Sequence, residues 1–136
     1  MPDAKAVILL VDDDPDFIAI AAHHLQAAGY DIAVAHDPDS ALAVLAQRRC
    51  DLVISDLMMT NLDSGFSLAQ RIKTDPRLRN LPVIIATSAR SVSGFDFRPF
   101  SREDLDHMHA DAFFEKPLPP DQLLGTVEKL IRRPPR

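Results

Sequence analysis

Short apolar runs that each stop abruptly at a polar group constrain this chain more than any other feature. Residues 6–11 are apolar throughout and give way to Asp12-Asp13-Asp14-Pro15. Leu52-Val53-Ile54-Ser55 ends in Asp56, Pro82-Val83-Ile84-Ile85-Ala86 ends in Thr87-Ser88, and Ala112-Phe113-Phe114-Glu115 ends in Lys116-Pro117. A strand without polar alternation must be covered on both faces, as in the parallel sheets of α/β proteins. Helical spacing fills the intervals: Ile18, Ala21, Ala22 and Leu25, then Ala41, Leu42 and Leu45, then Phe66, Ala69 and Ile72.

The expected strands are Ala6–Val11, Asp31–Ala35, Asp51–Ser55, Pro82–Thr87 and Asp111–Glu115. Asp14 before Pro15 and Asp37 before Pro38 have the form of N-caps with proline in the first turn. Gly29 marks the end of the first helix, and Asp75-Pro76 the end of the third. Ser101 with Asp104 resembles a capping box for a short fourth helix anchored by Leu105 and Met108. A fifth begins near Pro119 and carries Leu123, Leu124, Val127, Leu130 and Ile131. Strands alternating with helices imply a doubly wound five-stranded parallel sheet with five helices. Right-handed crossovers favour the order 2-1-3-4-5, which sets strands one and three side by side at the switch point. Asp12, Asp13 and Asp56 then converge at the carboxyl ends of the strands, where ligands of such sheets bind.

A length of 136 residues implies one domain spanning 1–136, with a core over about 6–131 and a flexible tail at 132–136. The net charge of −5 argues against a nucleic-acid surface. The single cysteine, Cys50, excludes an intramolecular disulfide and fits a buried or edge thiol. The N-terminus lacks the pattern of a signal peptide, and no run approaches membrane-spanning length. The expectation is a cytoplasmic protein without membrane contact.

Three carboxylates in one crevice stay ionised together only beside a cation. Mg²⁺ suits them, being a hard ion that takes oxygen ligands and pairs carboxylates with phosphate. Asp14 has a sufficient role as a cap and Asp16 as a first-turn acid; Asp12 and Asp13 have no such role. Asp56 could cap a loop, or attack phosphorus, since carboxylates form aspartyl-phosphate intermediates. Lys116 alone would be a solvated lysine and Thr87 alone a β-former. Together at strand ends, they can neutralise the outer oxygens of a phosphoryl group on Asp56.

The runs ILLVDDDP, DLVISDLMM, PVIIATSA and FFEKPL resemble the four signature segments of bacterial response-regulator receiver domains. The resemblance covers about Ala6 to Ile131 and implies a flavodoxin-like fold. It makes Asp56 the phosphoacceptor, with Asp13 and Asp56 binding Mg²⁺ directly and Asp12 acting largely through water. The backbone carbonyl of Met58 becomes the third protein ligand. Thr87 contacts the phosphoryl group, Lys116 pairs with its oxygens, and Pro117 follows in the cis form. Phe113 matches the aromatic switch position that turns inward as Thr87 moves. The resemblance implies a histidine kinase or histidine phosphotransfer protein as partner, and an unnamed downstream protein target. The output face is helix four, strand five and helix five, through which a homodimer can also form. The chain is then a self-phosphorylating and self-dephosphorylating receiver rather than a turnover enzyme. It acts alone, or as a piece of a larger protein.

Two departures stand out. Thr60 replaces the family's usual proline in a loop one residue longer than usual, and the connection Ser88 to Phe100 is also long. That connection holds Phe95, Phe97 and Phe100, which either pack within it or form a docking surface. His23-His24 and His107/His109 lack metal spacing on one helix face. One competing reading is a receiver fold used as a phosphorylation-independent scaffold. Another is a haloacid-dehalogenase-like phosphohydrolase with Asp12 as nucleophile and Asp14 as acid. The latter wants Thr or Val where Asp16 stands, and a late acidic pair that is missing.

Overall fold

The computed structural model describes residues 6–56, 64–87, 111–115 and 120–132. Five strands, β1 (Val7–Val11), β2 (Asp31–Ala35), β3 (Leu52–Asp56), β4 (Val83–Thr87) and β5 (Ala112–Glu115), form one parallel sheet. Its order is β2-β1-β3-β4-β5, as the alternation of runs implies. The helices are α1 (Pro15–Ala27), α2 (Pro38–Gln47), α3 (Ser64–Thr74) and α4 (Pro120–Arg132). The expected short helix after Ser101, the Ser88–Phe100 connection and the Thr60 loop lie outside the described residues.

Strand parity divides the core into two layers. Ile8, Leu10, Leu52, Ile54, Ile84 and Ala86 pack with Ile18, Ala21 and Leu25 of α1 and Leu123, Val127 and Leu130 of α4. Leu9, Val11, Val53, Val83 and Ile85 pack with Ala41 and Leu45 of α2 and Leu68, Ala69 and Ile72 of α3. The central strands are therefore apolar on both faces until their C-terminal ends, because a helical layer lies on each side. Full burial of each Val, Leu or Ile side chain among them is worth about 1.5–3 kcal/mol.

The ends of the first two helices follow from local chemistry. Asp14 accepts the Asp16 N–H through Oδ1 at 3.0 Å, and Asp37 accepts the Ser40 N–H at 2.7 Å. Each caps a helix whose first residue is proline, which has no N–H to satisfy. Past α1, Gly29 takes φ of 99°, where a side chain is strained. The Gly29 N–H then reaches the Gln26 carbonyl at 3.0 Å and the Tyr30 N–H reaches Leu25 at 3.1 Å. This is a Schellman ending, and it turns the chain into β2.

At the N-terminal edge of the sheet two aspartates each hold a neighbouring strand at two points. Asp51 precedes β3; its N–H donates to the Val7 carbonyl at 2.7 Å, and its carboxylate accepts the Val7 N–H at 2.8 Å. Asp111 precedes β5 and does the same to Val83, at 2.7 and 2.9 Å. These roles explain why β3 and β5 begin one residue later than the run of sequence implies. Pro82 likewise falls outside β4, although its carbonyl still accepts the Val53 N–H at 3.0 Å. Asp111 also pairs with Lys73 at 2.8 Å, and Lys73 donates to the Leu81 carbonyl at 2.8 Å. Both side chains are mostly buried, with 20% and 16% exposure, so the pair ties the end of α3 to the β4–β5 edge.

Asp111→Ala leaves the Val83 N–H and the Lys73 ammonium short of an acceptor and should cost about 2 kcal/mol, read as a lower urea midpoint. Stability should also fall in acid through Asp37. Its hydrogen bonds from Ser40 hold the carboxyl below its ordinary value of 3.8. The cap is therefore fully formed above that value and is lost as pH falls through the lowered one. Asp37→Asn should flatten this part of the pH–stability curve, measured by thermal unfolding across the acid range.

Candidate functional site

The pairing of β1 with β3 builds the site. Val11 lies opposite Ser55, so the next residues along, Asp12 and Asp56, come out side by side at the C-terminal rim. Carboxylate oxygens of Asp12, Asp13 and Asp56 all lie within 4.8 Å of one another. Asp12 is fully buried and Asp56 only 6% exposed, whereas Asp13 is exposed. Two sunken carboxylates with a third at the mouth form an acidic hollow open on one side.

The two buried acids are held by their backbones. The Asp12 N–H donates to the Ala35 carbonyl at 3.1 Å, which anchors the turn against the end of β2. Asp12 Oδ1 accepts the Asp14 N–H at 2.9 Å, so the first carboxylate is oriented by the residue that caps α1. His36 Nδ1 lies 3.2 Å from the Asp12 carbonyl oxygen. Under the third acid, the buried Ser55 hydroxyl donates to the Asp56 carbonyl at 3.0 Å. Asp56 also stays in ladder register with Ala86 of β4. Neither His36 nor Ser55 was expected at the site. The only sequence signal was their place at the ends of β2 and β3.

The remaining expected groups are placed by register alone. Thr87 ends β4, one residue past the partner of Asp56, and lies opposite Glu115 of β5. Phe113 lies opposite Ile85 in the same pair of strands. The side chains of Thr87 and Phe113, and all of Met58, Lys116 and Pro117, fall outside the described residues. Lys116 directly follows Glu115, which ends β5. Asp14 is the cap expected of it, and Asp16 is in the first turn of α1.

The donor set consists only of carboxylate oxygens, which suits a hard divalent cation such as Mg²⁺. Burial strengthens the argument, because carboxylates crowded in a low dielectric repel one another strongly unless a cation lies between them.

The chain matches the response regulator receiver domain family over residues 8–128. It belongs to that family. It is 32% identical over 133 residues to the DNA-binding dual master transcriptional regulator RpaA of Synechocystis, covering 95% of this chain and 50% of that protein. It is also 32% identical over 128 residues to the response regulator PleD of Caulobacter vibrioides, covering 94% of this chain and 26% of that protein. The chain thus spans half or less of the length of these curated relatives. Among solved structures, it resembles the chemotaxis response regulator CheY4 of Vibrio cholerae, with a TM-score of 0.77 and 27% identity. That match covers 93% of this chain and 99% of CheY4. A protein from Chloroflexus aurantiacus superposes with a TM-score of 0.81 at 24% identity, covering 96% of this chain and 100% of that one, a likeness of fold. The receiver domain is the part of a two-component response regulator that takes the incoming signal, and the flavodoxin-like architecture agrees with it. Among the described residues no helix is long and apolar enough to cross a membrane.

Divalent binding and the acid cluster should be coupled. Mg²⁺ should raise the melting temperature of this receiver domain, and Asp13→Asn should raise it without added metal while abolishing most of the Mg²⁺ response. Scanning calorimetry with EDTA and with Mg²⁺ measures both.

Proposed function

We propose that this receiver domain accepts a phosphoryl group on Asp56 from a histidine kinase or a histidine phosphotransfer protein, in a reaction that needs Mg²⁺. The observation that supports it most is the gathering of Asp12, Asp13 and Asp56 within 4.8 Å at the rim formed by β1 and β3. An oxygen of Asp56 attacks phosphorus in line. The new O–P bond forms as the P–N bond of the donor phosphohistidine breaks, and the imidazole nitrogen leaves with the electron pair and is protonated. Asp12, Asp13 and the Met58 carbonyl would hold Mg²⁺ together with Asp56. The bound ion supplies positive charge against the phosphoryl oxygens.

Every other contribution is positioning and electrostatics, which is how phosphoryl transfer is generally catalysed. The Ser55 hydroxyl and the β4 ladder fix the Asp56 backbone, so its carboxylate meets phosphorus without searching. In this reading Lys116 pairs with one phosphoryl oxygen and Thr87 with another. Movement of Thr87 then lets Phe113 turn inward and shifts an existing equilibrium of the output face to which β5 and α4 belong. That face meets the downstream target, or a second copy of the chain. The acyl phosphate is later hydrolysed by water at the same site, so the domain is a signalling element in the cytoplasm and not a turnover enzyme.

Incubation with acetyl phosphate and Mg²⁺ should add one PO₃ unit, read by intact mass, and Asp56→Ala should abolish it. Lys116→Ala should slow incorporation by roughly 10²-fold, the usual effect of removing one group that stabilises developing charge. Equal labelling of the Asp56 variant would overturn the assignment. A wild-type chain that binds partners without ever being labelled would favour the scaffold reading.

A further inference from the structure

The pole opposite the acidic hollow is basic, and nothing in phosphoryl transfer onto Asp56 uses it. A cavity of about 950 Å³ opens there, under the N-terminal edge of the sheet. Arg48, Arg49, Arg71, Lys73, Arg77 and Arg79 line it, against the three carboxylates of Asp51, Asp75 and Asp111. This is a local excess of positive charge in a chain of net charge −5.

Half of these cations tie separate elements together. Lys73 is engaged by Asp111 and the Leu81 carbonyl. Arg48 caps the end of α2 and pairs with Asp31 at 3.0 Å, and Arg71 bridges α3 to Asp39 on α2 at 3.4 Å. Arg71 and Lys73 also complement the negative end of the α3 dipole. Among the described residues the other three join no second element: Arg49 and Arg77 pair with aspartates two residues away in sequence. Arg49 is 92% exposed and only 3.9 Å from Asp51, whose second oxygen already holds the Val7 N–H. Arg77 is 78% exposed and reaches Asp75 at 3.4 Å, a carboxylate that already accepts the Arg77 N–H. Arg79 is exposed and forms no ion pair among the described residues.

We infer that this cavity binds a compact polyphosphate-bearing small molecule with an apolar or planar part, the chemistry of a nucleoside triphosphate. Five of the six cations are arginine, whose planar fork matches phosphate oxygens two at a time and stacks on flat groups. Leu45, Leu78 and Leu81 give the cavity an apolar wall beneath that rim. Its volume falls in the range of small-molecule clefts, which favours a compact ligand over an extended acidic surface. The site lies at the far end of the sheet from Asp56, so the two anion-binding functions are separate.

Cys50 also lines the cavity and is the only cysteine, which makes it a built-in reporter. The test is the rate of Cys50 alkylation by N-ethylmaleimide in EDTA, which keeps divalent ions from drawing nucleotide to the acidic hollow. Millimolar ATP should slow labelling in a saturable way, and tripolyphosphate should slow it with weaker affinity. Sodium chloride at matched ionic strength should have no effect. The Arg49→Ala, Arg77→Ala and Arg79→Ala triple variant should weaken protection by about tenfold or more, while keeping the wild-type circular dichroism spectrum. Unchanged labelling in ATP overturns the inference. So does equal protection in the triple variant, or protection by a glutamate-rich peptide but not by either phosphate.

Discussion

The pairing of β1 with β3 is the contact on which the site depends. With Val11 opposite Ser55, the residues beyond them must emerge together, and both are aspartates. A slip of one residue would reverse the parity of a whole strand and turn its core face outward. Register is therefore held by the apolar layers on both sides of the sheet, and the acidic hollow inherits the same precision. The rigidity that the core demands is what phosphoryl chemistry needs, because fixed charges do not have to reorganise during reaction.

Aspartate serves two opposite purposes at the two ends of this sheet. At the N-terminal edge, Asp51 and Asp111 are satisfied by strand N–H groups, and they close positions where a parallel ladder runs out of partners. At the C-terminal rim, Asp12, Asp13 and Asp56 are gathered against one another. The first arrangement stabilises the fold. The second concentrates negative charge at the rim. The difference lies in backbone direction: strand starts present N–H groups with no ladder partner, and strand ends deliver side chains into an open crevice.

Much of this was legible in the residues. The apolar runs, the two Asp-Pro helix starts and Gly29 correspond to the observed elements within a residue or so, because each follows from local chemistry. The convergence of the three aspartates could also be anticipated, once right-handed crossovers had limited the strand orders. The clamps of Asp51 and Asp111, the Lys73–Asp111 pair and the Ser55 and His36 contacts were not legible. Each joins segments far apart in sequence, and no local pattern distinguishes an aspartate that holds a neighbouring strand from one that merely precedes its own.

Local sequence is enough to say which segments are strands and helices, which faces are apolar, and that acids stand where strands stop. These are properties of neighbouring residues and their periodicity. It takes the folded sheet to bury Asp12 and Asp56 while leaving Asp13 outward, and to bring scattered arginines to one concave pole. Burial and charge proximity are sums over distant segments, and they exist only after the sheet has brought those segments together.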